Sequence, residues 1–319
     1  MLFYRRRRLV KQLKSYVRRW IPANLWSGAS VLVRGLSRTL AVSIAYVIVI
    51  IYKVLPDPCL IALRQKLTLR RPMDYDRGIL TLLANSETEY NVRLRSCEKE
   101  PETVNWIQQT IQPGDVLYDI GANVGAYTLI AAHASEQQAV IYAFEPGYNT
   151  FPHLVDNIMY NGYNEIITPF QIAFGARTIL NAFGYSTSDA GGAQHPGIRY
   201  EGHESQLQHT VLTYSLDDFI RLFKLPPPTH LKIDVDGSEM DILRGATKTL
   251  EAFPPRWLLI EIDTREQDMD AMKAFMYTHN YSLYQDYPHL PSTVHNVIFK
   301  KQEEATTPKK QDNDHIELI

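Results

Sequence analysis

Cysteine is scarce: Cys59 and Cys97 are the two that 319 residues contain, too few for the stapled framework of a small secreted domain, and a reducing compartment fits that usage. Long apolar runs are lacking too. The main one, Thr39 to Tyr52 (TLAVSIAYVIVIIY) between Arg38 and Lys53, falls short of the ~18 to 20 residues that a spanning helix requires. Two nucleotide signatures are missing. No G-x-x-x-x-G-K-[ST] loop is present to cradle a triphosphate, and G-x-G-x-x-G fails because Asn123 and Ala126 stand at its second and third glycine positions. Acidic residues are absent from 1–56, which carry 11 Arg and Lys, so that in the remainder 22 basic residues meet all 35 acidic ones, a net of −13. The two portions are built for different surroundings.

What is present reads as an ordinary globular chain, 45% hydrophobic and 21% charged, long enough for one large domain and an appendage. The appendage is residues 1–56. Leu9, Leu13, Tyr16 and Trp20 recur at helical spacing with Arg and Lys on the other faces, the pattern of a basic amphipathic helix that can lie on an anionic bilayer. The apolar stretch behind it reads as a monotopic or re-entrant anchor or as a helix packed on the main domain. A true span would carry the acidic domain to the far side of the membrane from the basic N-terminus, and a cleavable signal peptide fits poorly. Attachment to the inner face of a membrane is the expectation. Residues 57–84 read as a linking segment, 85–300 as the main domain and 301–319 as a disordered tail.

Within 85–300, short β-rich runs alternate with helical ones. Strands are expected at 116–120, 140–144, 166–170, 231–234, 257–262, 281–286 and 294–299, and helices at 126–134, 150–160, 215–224, 238–250 and 268–280. Such alternation predicts an α/β fold, a mostly parallel sheet with helices on both faces and a closing antiparallel hairpin. The Gly- and His-rich interval 181–208 is expected as a loop, with Gly191-Gly192 as a flap. Ligands on such sheets bind at the carboxyl ends of the strands.

The first strand runs into Asp119-Ile120-Gly121-Ala122-Asn123-Val124-Gly125, and twenty residues on, at the end of the second, stands Glu145 in Ala143-Phe144-Glu145-Pro146. Gly121 and Gly125 permit a tight turn with small Ala122 between them, while Glu145 can accept both hydroxyls of a ribose. Asp119 is placed to meet a cationic amino-acid portion. These features suit a cofactor with a sugar and no pyrophosphate.

DIGANVG (119–125), AFEP (143–146) and KIDVDGSEMDILRGA (232–246) together resemble, in order, the three signature blocks of the FkbM-type methyltransferase family, over about Glu100 to Phe299. The resemblance implies a class I methyltransferase fold, Rossmann-like with a seven-stranded sheet, and S-adenosyl-L-methionine as donor. It also implies O-methylation of a hydroxyl on a sugar, glycolipid or polyketide-like acceptor. Carried over, Asp119, Gly121, Asn123, Gly125 and Glu145 bind the cofactor, with Ala122 and Pro146 beside them. Asp236 departs from the family, which more often has Glu there.

In the third block Asp234, Asp236 and Glu239 gather at the end of the fourth strand, and alternation puts Lys232 and Asp234 on one face. Asp234 is the residue expected to orient or deprotonate the acceptor hydroxyl. Glu239 is either an alternative base or a stabiliser of its helix dipole. Glu261 is a third catalytic candidate, and Lys232 is expected to pair with a buried carboxylate. His195, His203 and His209, near Glu201 and Glu204, match no ligand spacing, so no metal site is expected. A different-class reading, a non-catalytic nucleoside-binding module tethered to a membrane, stays open beside the enzyme. A nucleic-acid methyltransferase ranks lower because the catalytic part is acidic and lacks an N/D-P-P-Y/F motif.

Overall fold

The computed structural model describes residues 55–185, 191, 194–196 and 208–302. The expected basic helix, the apolar stretch 39–52, Gly192, Glu201, His203, Glu204 and the tail from 303 lie outside them. The chain divides into two compact units, Met1–Thr68 and Leu69–Ile319. The described part of the first contains helix α1 (Asp57–Lys66). Among the described residues no helix is long and apolar enough to cross a membrane.

The second unit opens with an antiparallel hairpin, β1 (Arg70–Pro72) and β2 (Thr81–Leu83). This hairpin lies within residues 57–84, the segment expected to link the two portions. Alternation about Thr81 sends Leu80 and Leu82 into the same buried cluster as Leu117 and Ile141, and Leu83 N–H donates to Asn157 Oδ1 at 2.8 Å. Helix α2 (Glu87–Asn91) begins at a Ser86/Glu89 capping box, and a 3₁₀ turn (Arg93–Arg95), α3 (Ser96–Lys99) and α4 (Pro101–Thr110) follow.

Strand β3 (Val116–Ile120) then leads through α5 (Ala126–Ala134) to β4 (Val140–Phe144), and α6 (Phe151–Tyr160) leads to β5 (Ile167–Phe170). Next come β6 (Ala173–Phe174), β7 (Ile179–Tyr185), β8 (Gln194–Pro196) and β9 (Gln208–Tyr214). Helix α7 (Leu216–Phe223) precedes β10 (His230–Ile233), α8 (Glu239–Arg244), α9 (Thr247–Ala252) and β11 (Trp257–Asp263). The unit closes with α10 (Met269–Thr278), β12 (Tyr281–Pro288) and β13 (Val294–Lys301).

Seven strands form one sheet in the order β12-β13-β11-β10-β3-β4-β5, parallel except for β13, which runs antiparallel between β11 and β12. This is the Rossmann-like class I sheet that the strand and helix order predicts. Period-2 alternation divides each strand between two cores. Leu117, Ile141, Ala143 and Leu259 join α4, α5 and α6 in one. Tyr118, Ile120, Phe144, Leu231 and Ile260 join α7 to α10 in the other.

Two features depart from expectation. The interval expected as loop is framed by a second sheet, β6-β9-β7-β8, in which β7 and β9 pair antiparallel. Asn181 and Gly184 break the apolar alternation of β7, and its partner lies far along the chain, so no local pattern announced the pair. The helix expected over 238–250 is two, because a Cβ at Gly245 would stand 2.1 Å from the Gly175 carbonyl oxygen. The chain turns where those two backbones touch.

Candidate active site

Strands β3, β10 and β11 are adjacent and parallel, and their register sets Lys232 beside Asp119 on one flank and Leu259 on the other. Side chains repeat every second residue, so Asp119, Lys232, Asp234 and Glu261 come to one face at the carboxyl ends of three neighbouring strands. Lys232 Nζ lies 2.9 Å from Asp234 Oδ2 and 3.3 Å from Asp119 Oδ1, with the Tyr127 ring 5.4 Å away. Thr128 Oγ1 donates to Asp119 Oδ2 at 2.6 Å. Burial works against the Lys232 charge, but the carboxylates of Asp119 and Asp234 more than offset it and raise the ammonium pKa.

Asp234 and Glu261 are hydrogen-bonded and settle in opposite states. Burial works to raise the Asp234 carboxyl, yet the Lys232 ammonium and the Glu261 hydrogen bond together hold it well below the usual carboxylate range. The charge on Asp234, followed by burial, pushes Glu261 well above that range. The pair divides in this direction because Asp234 is the member in contact with Lys232. Asp234 keeps 24% of its side-chain surface exposed.

A different arrangement holds the carboxylate at the tip of β4. Both oxygens of buried Glu145 accept backbone N–H groups, Oε2 from Asn123 at 3.0 Å and Oε1 from Gly147 at 2.8 Å. Burial raises its pKa to about 7 against those two bonds. The turn that delivers the Asn123 N–H depends on Gly121, whose φ is +82° and where a Cβ would stand 1.8 Å from the Asp234 carbonyl oxygen. Asn157 fixes the same turn from behind, donating Nδ2–H to the Val124 carbonyl at 2.8 Å.

These tips open on a cavity of 170 Å³, more than ten times the ~15 Å³ that a single water needs. Gly121, Asn123, Glu145 and Pro146 line it, as do Asp234, Asp236 and Glu261. Phe144, Phe174 and Phe183 add apolar surface, and Arg93 and Lys99 add two cations. Asp119, Ala122, Gly125 and Glu239, all expected at the site, do not line the cavity. Asp119 is turned to Lys232 and Thr128, Ala122 N–H donates to the Phe144 carbonyl at 3.0 Å, and Gly125 caps the start of α5. Glu239 is buried and accepts from Gly237 N–H at 3.3 Å and from the Gln267 amide; burial raises its carboxyl to about 8.

The sequence pattern that describes the methyltransferase FkbM domain matches residues 119–283, a span of 165 residues in this chain of 319. The chain belongs to the FkbM methyltransferase family. As an FkbM protein it is an S-adenosylmethionine-dependent methyltransferase. It is similar to the hexuronic acid methyltransferase AglP of Haloferax volcanii, 25% identical over 181 residues that make up 57% of this chain and 70% of that protein. Among solved structures it is similar to a methyltransferase FkbM from Methylobacillus flagellatus KT, with 17% identity and a TM-score of 0.44 over 59% of this chain. The chain spans 44% of that structure's length. It is also similar to M. capricolum TrmK in complex with S-adenosyl-homocysteine, with 11% identity and a TM-score of 0.41 over 65% of this chain and 71% of that one.

Arg93, Lys99, Ile172, Ala173, Phe174 and Phe183 are the cavity residues that sequence reasoning missed. Phe183 sits on the unexpected strand β7, and the two cations precede the first signature block, where no spacing marks them. Of the histidines considered, His209 packs edge-on against Phe183 and Tyr148, and His195 lies on β8. Among the described residues no group of three or more His, Cys, Asp or Glu could hold a metal ion.

Proposed function

We propose that this FkbM methyltransferase methylates a hydroxyl oxygen of a sugar, free or carried on a glycan or lipid, and that Asp234 is the residue against the reacting oxygen. One observation carries the reading: the Asp234 carboxylate, with the Lys232 ammonium 2.9 Å from one oxygen, is partly exposed in the cavity that Glu145 and Glu261 also line. An oxygen placed beside that charge must carry a proton to donate, which favours a hydroxyl over a second carboxylate. The hexuronic acid of the Haloferax relative's name supports a sugar as the bearer of that hydroxyl.

The residues fit the donor's nucleoside. Glu145, its backbone bonds already fixing both oxygens, has lone pairs left for a ribose diol, Gly121 and Asn123 shape the turn beside it, and Pro146 and Phe144 offer apolar surface for a base. S-adenosylmethionine, when bound, supplies an electrophilic methyl group. Asp234 aligns the hydroxyl by accepting its hydrogen bond, and alignment supplies the larger share of such a rate gain. Its lowered basicity is no obstacle, because the hydroxyl proton becomes far more acidic as the oxygen takes on a third bond. Asp119 acts behind the wall by fixing Lys232. Glu239 holds the Gly237 turn and does not reach the reacting oxygen.

The experiment is transfer of a radiolabelled methyl group to a panel of glycosides, followed by mild alkali. An alkali-stable methyl ether is expected. Label released by alkali as from an ester, or found on nitrogen, would overturn the reading.

A further inference from the structure

Two of the cavity's side chains, Arg93 and Lys99, come from the 3₁₀ turn and short helix ahead of β3, outside the 119–283 span that defines the family. Arg93 donates Nε–H and Nη2–H to the Gly191 carbonyl at 2.9 and 2.7 Å. That contact neutralises no charge, since its acceptor is a neutral peptide oxygen. Lys99 is paired with buried Glu100 yet keeps 44% of its side-chain surface exposed. Burial works to lower the Lys99 pKa, the Glu100 charge and hydrogen bond raise it further than that, and Arg93 opposes them as a neighbouring like charge. Two cations that face one cavity, one of them bonded there only to a neutral peptide oxygen, attract an incoming anion from two sides.

We propose that Arg93 and Lys99 form a carboxylate subsite within the methyl-transfer cavity. The planar guanidinium matches a carboxylate in a fork, and the ammonium adds a second donor from another direction. Lys99 also stabilises the charge on Asp234, so the subsite adjoins the acid pair, and a carboxylate held there leaves a neighbouring hydroxyl within reach of Asp234. Resting on the reading of the cavity above, this deepens it. A carboxylate can come from the amino-acid end of the donor or from a uronic-acid acceptor, and the test separates the two.

Full-length protein and the variants Arg93→Gln, Arg93→Lys and Lys99→Gln are titrated calorimetrically with S-adenosylhomocysteine and with its decarboxylated analogue. Initial rates are measured in parallel with a methyl glucuronoside and the matching methyl glucoside. If the donor's carboxylate occupies the subsite, Arg93→Gln and Lys99→Gln each weaken S-adenosylhomocysteine by about 10- to 100-fold and leave the decarboxylated analogue unchanged. If the acceptor's does, donor affinity stays put, and a wild-type preference of about tenfold or more for the glucuronoside in kcat/KM falls towards one. In either case Arg93→Lys keeps the charge but loses the fork, and its discrimination falls between those of the wild type and Arg93→Gln. Lys99→Gln leaves the Arg93–Gly191 bonds in place and so separates loss of charge from disturbance of that loop.

Folded variants that keep both ratios at the wild-type values overturn the subsite. Wild-type protein that binds S-adenosylhomocysteine but methylates neither sugar counts against the proposed acceptor class, and unchanged S-adenosylhomocysteine affinity in Arg93→Gln and Lys99→Gln then overturns the subsite as well.

Discussion

Glu145 at the tip of β4 and Asp234 at the end of β10 are carboxylates at equivalent places on neighbouring parts of one sheet, and their surroundings push them in opposite directions. Glu145 is held by two backbone N–H groups in a buried turn, and burial lifts its pKa to about 7. Asp234 has a buried lysine against one oxygen and Glu261 beside it, and together they hold its carboxyl well below the usual carboxylate range. The lesson is that a buried carboxylate in a backbone cradle stays titratable near neutrality, whereas a side-chain cation two residues away on the same strand face removes it from that range. The same fold thus supplies one acid that responds to pH and one that does not.

The largest expected effect comes from removing the cation. Lys232→Met leaves buried Asp119 without its cation and Asp234 with only Lys99 in the neighbourhood, and breaking a buried pair in this way costs about 3–5 kcal/mol. Chemical denaturation should register that loss. A change below about 1 kcal/mol would mean that the lysine does not hold the pair. The second effect is smaller and belongs to Glu145. A carboxyl with its pKa near 7 becomes protonated below that pH and loses its capacity to accept two hydroxyls, so affinity for S-adenosylhomocysteine should fall as pH drops, by at most about tenfold per unit. Calorimetry between pH 8 and 5.5 measures it, and Glu145→Gln should both weaken binding and flatten the profile. A flat wild-type profile would break the contrast with Asp234.

Much of this contrast was legible in the residue order, and the remainder was hidden for identifiable reasons. Alternation alone places Lys232 and Asp234 on one face, and the paired glycines, Asn123 and Glu145 announce the turn at the end of β3. The membership of Asp119 in the lysine pair was not legible, because it depends on the register between β3 and β10, which no spacing within either strand encodes. For the same reason Glu261 gave no sign that it would stand beside Asp234. Glu239 misled because an acid in the first turn of a helix looks alike whether it faces a cavity or folds back on its own turn. Arg93 and Lys99 lie in RLRSCEK, a short charged stretch that reads as surface until the hairpin and α2 bring it over the strand ends. Leu80 and Leu82 show the converse failure, since two leucines around a threonine are too short a pattern to be separated from a linker.

The central claim is that Asp234 serves the acceptor oxygen and Glu145 the donor. Its most direct measurement is the Asp234→Asn variant, assayed for methyl transfer and titrated with S-adenosylhomocysteine in the same preparation. The account predicts that turnover falls by about 10²-fold or more while the ligand binds within a few-fold of the wild-type affinity. Turnover close to wild type, or loss of S-adenosylhomocysteine binding in a protein that still folds, would contradict it.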